Sequence, residues 1–234
     1  MLFHPMDIFI FIALGVSIWA QFRVKGNFNK WAKVPTKTGM TGAKVAREIL
    51  DENGLYDVPI EVVPGKLSDH YDPMSRVIRL SEDVYYGQSI ASVSVASHEV
   101  GHAIQHKQSY KALVLRHKIF PIANLASGIA PFLFLGGMLL QQFSLIGIGI
   151  LFFSAAVAFQ LITLPVEFDA SKRARNLMLA QGILYSDEER GVKKVLNAAA
   201  LTYVAATLMA VFELIKFVMI FFKDKRKNNT KIFI

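Results

Sequence analysis

Between positions 119 and 165 the chain carries no charged side chain, and Gln141-Gln142 is the one polar break between two long apolar halves. Lipid offers no partner for a bare N–H or C=O, so a run of this kind is restricted to helices that cross a bilayer. Each half, 119–140 and 143–165, is long enough for a ~30 Å hydrocarbon core at ~1.5 Å per residue. Together they predict a tight membrane hairpin. A first apolar run at 6–22 and a last one at 198–222 make about four transmembrane helices, consistent with a 53% hydrophobic composition. The run at 6–22 has no Lys or Arg before it, and Arg23, Lys25, Lys30, Lys33 and Lys37 follow it. A secretory signal has the opposite charge order, so residues 1–22 read as a retained anchor with the following segment in the cytoplasm.

The charge lies in what remains: segment 23–118, segment 166–197 and a basic tail at 223–234, read as frayed. The two large segments hold 20 of the 26 lysines and arginines, and they set the orientation. A spanning last helix would then put the tail outside, against the positive-inside rule, whereas a re-entrant one would keep it inside. The net charge of +8 suits an anionic membrane surface. No basic motif with interleaved aromatics accompanies it, which argues against nucleic acid. With no cysteine, disulfides and thiolate ligands are excluded, so any metal is held by nitrogen and oxygen.

Within 23–118, Thr41 as N-cap, the stripe Val45, Ala46, Ile49 and Leu50, and Gly54 as a stop predict one helix. Residues 58–63 and 76–81 alternate as short strands, with "SDHYDP" (68–73) as the turn between them. A helix starts near Ser89 and carries "SVASHEVGHAIQHKQ". In 166–197 a helix entered after Pro165 is closed by Gly182, and Ser186 with Glu189 forms a capping box for the next.

His98-Glu99-Val100-Gly101-His102 is an H-E-x-x-H sequence. Four residues is just over one helical turn, so both imidazoles leave one face and can reach one cation, with Glu99 placed as general base for water. Chance gives this pattern on the order of 0.006 times in such a chain. Ile90, Val93, Ala96, Val100 and Ile104 make the opposite side apolar. A catalytic zinc site takes a third protein ligand and keeps one position open. His106 is two turns, roughly 12 Å of rise, beyond His98 and reads as a surface histidine. Glu167 is the candidate: two membrane crossings return it to the side of the histidines. The competing reading of Glu167 is a solvated acid near a helix N-terminus.

H-E-x-x-H, then a membrane hairpin, then "EFDAS" leading into a basic helix resembles the HtpX-type and prenyl-protein-processing membrane metalloproteases. Over nearly the whole chain, "WAQFRVKG", "SDHYDP" and "SVASHEVGHAIQH" look closer still to the YugP-type membrane zinc metallopeptidases of Bacillus-like bacteria. The resemblance implies a mainly α integral membrane protein with a zincin-like α+β metallopeptidase domain on the cytoplasmic side. It further implies Zn2+ bound by His98, His102 and Glu167, a gluzincin-like set, with Glu99 as base. The HtpX-type pattern has Asp four residues after the third ligand, to orient a histidine; this chain has Ser171, which leaves Asp169 or Asp72 as substitutes.

The implied activity is endopeptidase cleavage of peptides or proteins, membrane proteins among them, with the substrate extended along the edge of strand 76–81. His70, Tyr71 and Arg173 are the candidate oxyanion donors. Two rival classes stand beside it. A transporter is suggested by Glu213 and Lys216 inside the last apolar run, but these can pair with each other, and the hairpin has no charge to continue a pathway. A catalytically silent zinc scaffold would have no use for Glu99.

Overall fold

In a computed structural model, the backbone of residues 4–232 and the side chains of residues 4–223 are described. The elements are α1 (Met6–Trp31), α2 (Gly42–Glu52), β1 (Ile60–Val63), β2 (His70–Asp72), β3 (Val77–Ser81), α3 (Glu82–Tyr85), α4 (Ile90–Lys107), α5 (Lys111–Leu139), α6 (Phe143–Ala180) and α7 (Glu189–Ile232). The chain forms two compact units.

The first unit holds the apolar parts of α1, α5, α6 and α7. These four helices are long and apolar enough to cross a membrane. Gln141 adopts a positive φ of 53°, and Gln142 N–H bonds back to Gly137 C=O at 2.9 Å, which closes the hairpin between α5 and α6. Phe134 and Phe217 stack at 3.9 Å, with Phe153 edge-on to both. Lys216 pairs with Asp7, not with Glu213, so the expected pair within the last run is replaced by one between α7 and α1.

The second unit comprises Trp19–Val114 and Leu164–Thr202. Thr41 Oγ1 accepts from Lys44 N–H and starts α2, whose Val45, Ala46, Ile49 and Leu50 are fully buried. Burial of each such large aliphatic contributes about 1.5–3 kcal/mol. Together with Val93, Ala96 and Val100 of α4 and Ile78 and Leu80 of β3, these residues form the core.

The structure differs from the sequence expectations in five places, the first three of which bear on the site. The turn expected at 68–73 contains a strand, β2, paired antiparallel to β3, while β1 pairs with β3 in parallel. The sheet order is β1-β3-β2, so β3 (within the 76–81 run) is central and has no free edge for a substrate. The helix expected to begin after Pro165 is the second half of α6, which passes through Pro165 unbroken. Val166, Ala170, Ala174 and Met178, spaced one turn apart, are all fully buried, and that stripe holds the helix together across the proline. Glu167 therefore lies deep in a helix and not at an N-terminus. Finally, the expected Ser186–Glu189 box does not form: buried Glu188 accepts from the N–H groups of Tyr185 and Lys37, and Glu189 pairs with Lys193. The backbone of α7 continues to Ile232 where a frayed tail was expected, and the side chains of 224–234 lie outside the described residues.

Candidate metal centre

Ser89 caps α4, its Oγ accepting from Ser92 N–H at 3.1 Å. Fourteen of the eighteen residues of α4 are buried, so the helix runs through the interior and its polar groups need partners there. The partner helix is α6. A Cβ on Gly101 would stand 2.7 Å from the backbone oxygen of Ala170, closer than real Cβ contacts come. The absence of a side chain at position 101 is thus what lets the backbones of α4 and α6 meet.

That approach sets Glu167 against both imidazoles. Glu167 Oε2 lies 3.3 Å from His98 Nε2 and 3.6 Å from His102 Nε2. One donor atom from each of the three residues falls within 4.8 Å of the other two, a grouping that could hold a metal ion. The glutamate is 3% exposed, and the histidine side chains 14% and 11%.

The far side of each ring is tied down. His98 Nδ1 is 3.1 Å from Ser171 Oγ, and His102 Nδ1 is 3.0 Å from Gln105 Oε1. The amide of Gln105, fully buried, has its orientation forced. Its nitrogen donates to Val166 C=O and to Asp169 Oδ2, both at 2.8 Å, and neither of these can donate back. The Gln105 oxygen must then face His102, and His102 Nδ1 must carry the proton. Its Nε2 is left with the lone pair that a metal takes. Arg173 extends the chain of bonds, donating to Asp169 and to Gln108.

Glu99 is buried, and its Oε2 accepts Tyr71 N–H from β2 at 2.9 Å. The Tyr71 hydroxyl is 2.8 Å from His106 Nδ1, so His106 is half-buried against a phenol and not the solvated histidine expected. His70, exposed, turns its Nδ1 to Ser68 C=O, and Asp72 is engaged by Arg79 and by its own turn. Of the sequence candidates, then, His98, His102 and Glu167 converge, and Glu99 is fixed by Tyr71. Asp169 and Arg173 act on the cluster only through Gln105, and His70 and Asp72 make their bonds elsewhere. Gln105 and the contact of Ser171 were missed. Their spacing was the available signal: Gln105 is one turn beyond His102, and Ser171 one turn beyond Glu167.

Burial disfavours a charge on His102, yet Glu167, the charge of Glu99 and Gln105 outweigh it and hold its pKa above that of an ordinary imidazole. The cluster is built for a cation. Two imidazole nitrogens and one carboxylate oxygen, with no sulfur, are a donor set that zinc accepts.

The family model described as "Putative neutral zinc metallopeptidase" matches residues 6–222. The "Putative membrane protease YugP" of Bacillus subtilis (strain 168) is 64% identical over 224 residues, covering 94% of this chain and 100% of that protein. No solved structure matches.

Proposed function

We propose, because the chain belongs to the neutral zinc metallopeptidase family, that it is a multi-pass membrane endopeptidase whose metal is held by His98, His102 and Glu167. The observation that carries this reading is the convergence of those three groups on one point, with both Nδ1 atoms already engaged. Zinc bound there supplies Lewis acidity, which brings the pKa of water near 7.

The remaining steps belong to the protein's own residues. Glu99, its Oε2 fixed by Tyr71 N–H, takes the proton of the attacking water and returns it to the leaving amine nitrogen. Burial keeps bulk water from competing for that carboxylate. The substrate lies extended on the outer edge of β2, the strand that contacts Glu99, and not on β3. The lysines and arginines of the two polar segments favour a cytoplasmic face for the catalytic segments.

The test is cleavage of an unfolded protein by zinc-loaded, detergent-purified chain, wild type beside Glu99→Gln. The variant should keep one zinc and lose at least about a hundredfold in rate. Equal cleavage by both would remove Glu99 from the mechanism. Zinc bound without cleavage by either would favour the scaffold.

A further inference from the structure

A second feature of the molecule lies away from the metal cluster, where α1 and α7 change from charged to apolar sequence. There a cleft of about 540 Å³ opens within the second unit. Its basic wall is Arg23 of α1 with Arg190 and Lys194 of α7, and its apolar wall is Trp19, Ala198 and Leu201. The acid on the wall, Glu189, is already paired with Lys193 at 3.0 Å and lies 3.8 Å from Arg175. Arg23, Arg190 and Lys194 have no carboxylate partner among the described residues, and the Arg23 guanidinium sits over the Trp19 ring at 5.0 Å. Three cations are thus held around one concavity without a carboxylate partner among the described residues, the acid of the cleft being engaged by Lys193.

The position of the cleft specifies the kind of anion. Along α1 the apolar run ends at Phe22 and Arg23 follows; along α7 Lys194 precedes the apolar run that starts at Ala198. Both transitions occur at this cleft, and a half-exposed tryptophan marks the level, as tryptophans do at the edge of a bilayer. A ligand that fits must present an anionic oxygen cluster to guanidinium and ammonium groups and an apolar stem to Trp19 and Leu201. We propose that the cleft between α1 and α7 binds the phosphate headgroup of one anionic glycerophospholipid, with Arg23, Arg190 and Lys194 on the phosphate and Trp19 against the glycerol and upper acyl carbons.

The experiment is native mass spectrometry of the full chain released from nanodiscs holding equal dioleoylphosphatidylglycerol and dioleoylphosphatidylcholine. Wild type is expected to retain one phosphatidylglycerol in preference to phosphatidylcholine by at least about tenfold, and the variant Arg23→Gln/Arg190→Gln/Lys194→Gln to lose that preference. The control Lys25→Gln/Lys30→Gln/Lys33→Gln removes the same charge from the same flank, and it should keep the lipid. Equal loss in the control would reduce the effect to bulk charge and overturn the site, as would no preference in wild type. In a parallel arm without anionic lipid, millimolar inorganic phosphate is titrated and the melting temperature read. A shift that needs the three cations and appears with phosphate, while phosphatidylglycerol gives no retained adduct, would assign the cleft to a free anion and overturn the lipid. Should the triple variant not fold, Lys194→Glu alone must lower the adduct severalfold, and an unchanged adduct overturns the proposal.

Discussion

At the scale of single residues, the site is more a matter of orientation than of ligand identity. Ser171 and Gln105 never offer an atom to the cluster's centre, yet each holds the Nδ1 of one histidine. Supports of this kind typically change metal affinity ten- to a hundredfold. Ser171→Ala and Gln105→Leu are each expected to weaken zinc binding by about that factor, measured by competition with a chromophoric chelator, while Glu99→Gln leaves it within about twofold. Gln105→Leu should be the worse of the two. It removes the group that fixes which nitrogen of His102 carries the proton, and it leaves Asp169 facing an apolar side chain. The H-E-x-x-H sequence and Glu167 were legible from spacing and topology. Ser171 and Gln105 offered only a one-turn spacing, because a serine or a glutamine has a partner in any fold; the meeting of α4 with α6 sets Ser171 on His98 and fixes which way the Gln105 amide faces.

At the scale of elements, that meeting depends on Gly101. In an isolated helix, glycine to alanine stabilises by up to about 1 kcal/mol. In α4 the added Cβ faces backbone 2.7 Å away, and forced overpacking costs about 1–3 kcal/mol, so the clash outweighs the propensity. Gly101→Ala should therefore lower both the melting temperature and the zinc affinity. Gly26→Ala, whose Cβ would meet nothing within 4 Å in α1, should raise the melting temperature slightly and leave zinc alone. Opposite signs from one chemical change would separate packing from propensity. The cap of α2 at Thr41 and the start of α4 near Ser89 were legible because both are local signals. The sequence reading broke α6 at Pro165, since a proline argues locally for a boundary, and the buried stripe from Val166 to Met178 is a tertiary fact. It also read β2 as a turn: three residues are too few to show alternation, and only pairing with β3 makes them a strand.

At the scale of the whole molecule, four apolar helices were legible because length and hydropathy decide them. Which side each polar segment faces is proposed from charge statistics alone, and the absence of cysteine makes that testable. A single thiol introduced at Met74, 92% exposed, should react with a membrane-impermeant maleimide only after cells are opened, whereas one at Gln141 in the hairpin should react in intact cells. The reverse pattern would invert the orientation proposed above. The meeting of His98 with Glu167 has another side. The two are 69 positions apart, so an ion shared between them closes a long loop of chain, and it acts as a cross-link as well as a reagent. Binding that favours the folded state adds RT ln(1 + [L]/Kd), about 2.7 kcal/mol at a hundredfold excess over Kd. Chelation should accordingly lower the melting temperature by several degrees and expose the α4–α6 joint to digestion by trypsin. A peptidase built this way would be guarded against cleavage by the same ion it needs in order to cleave.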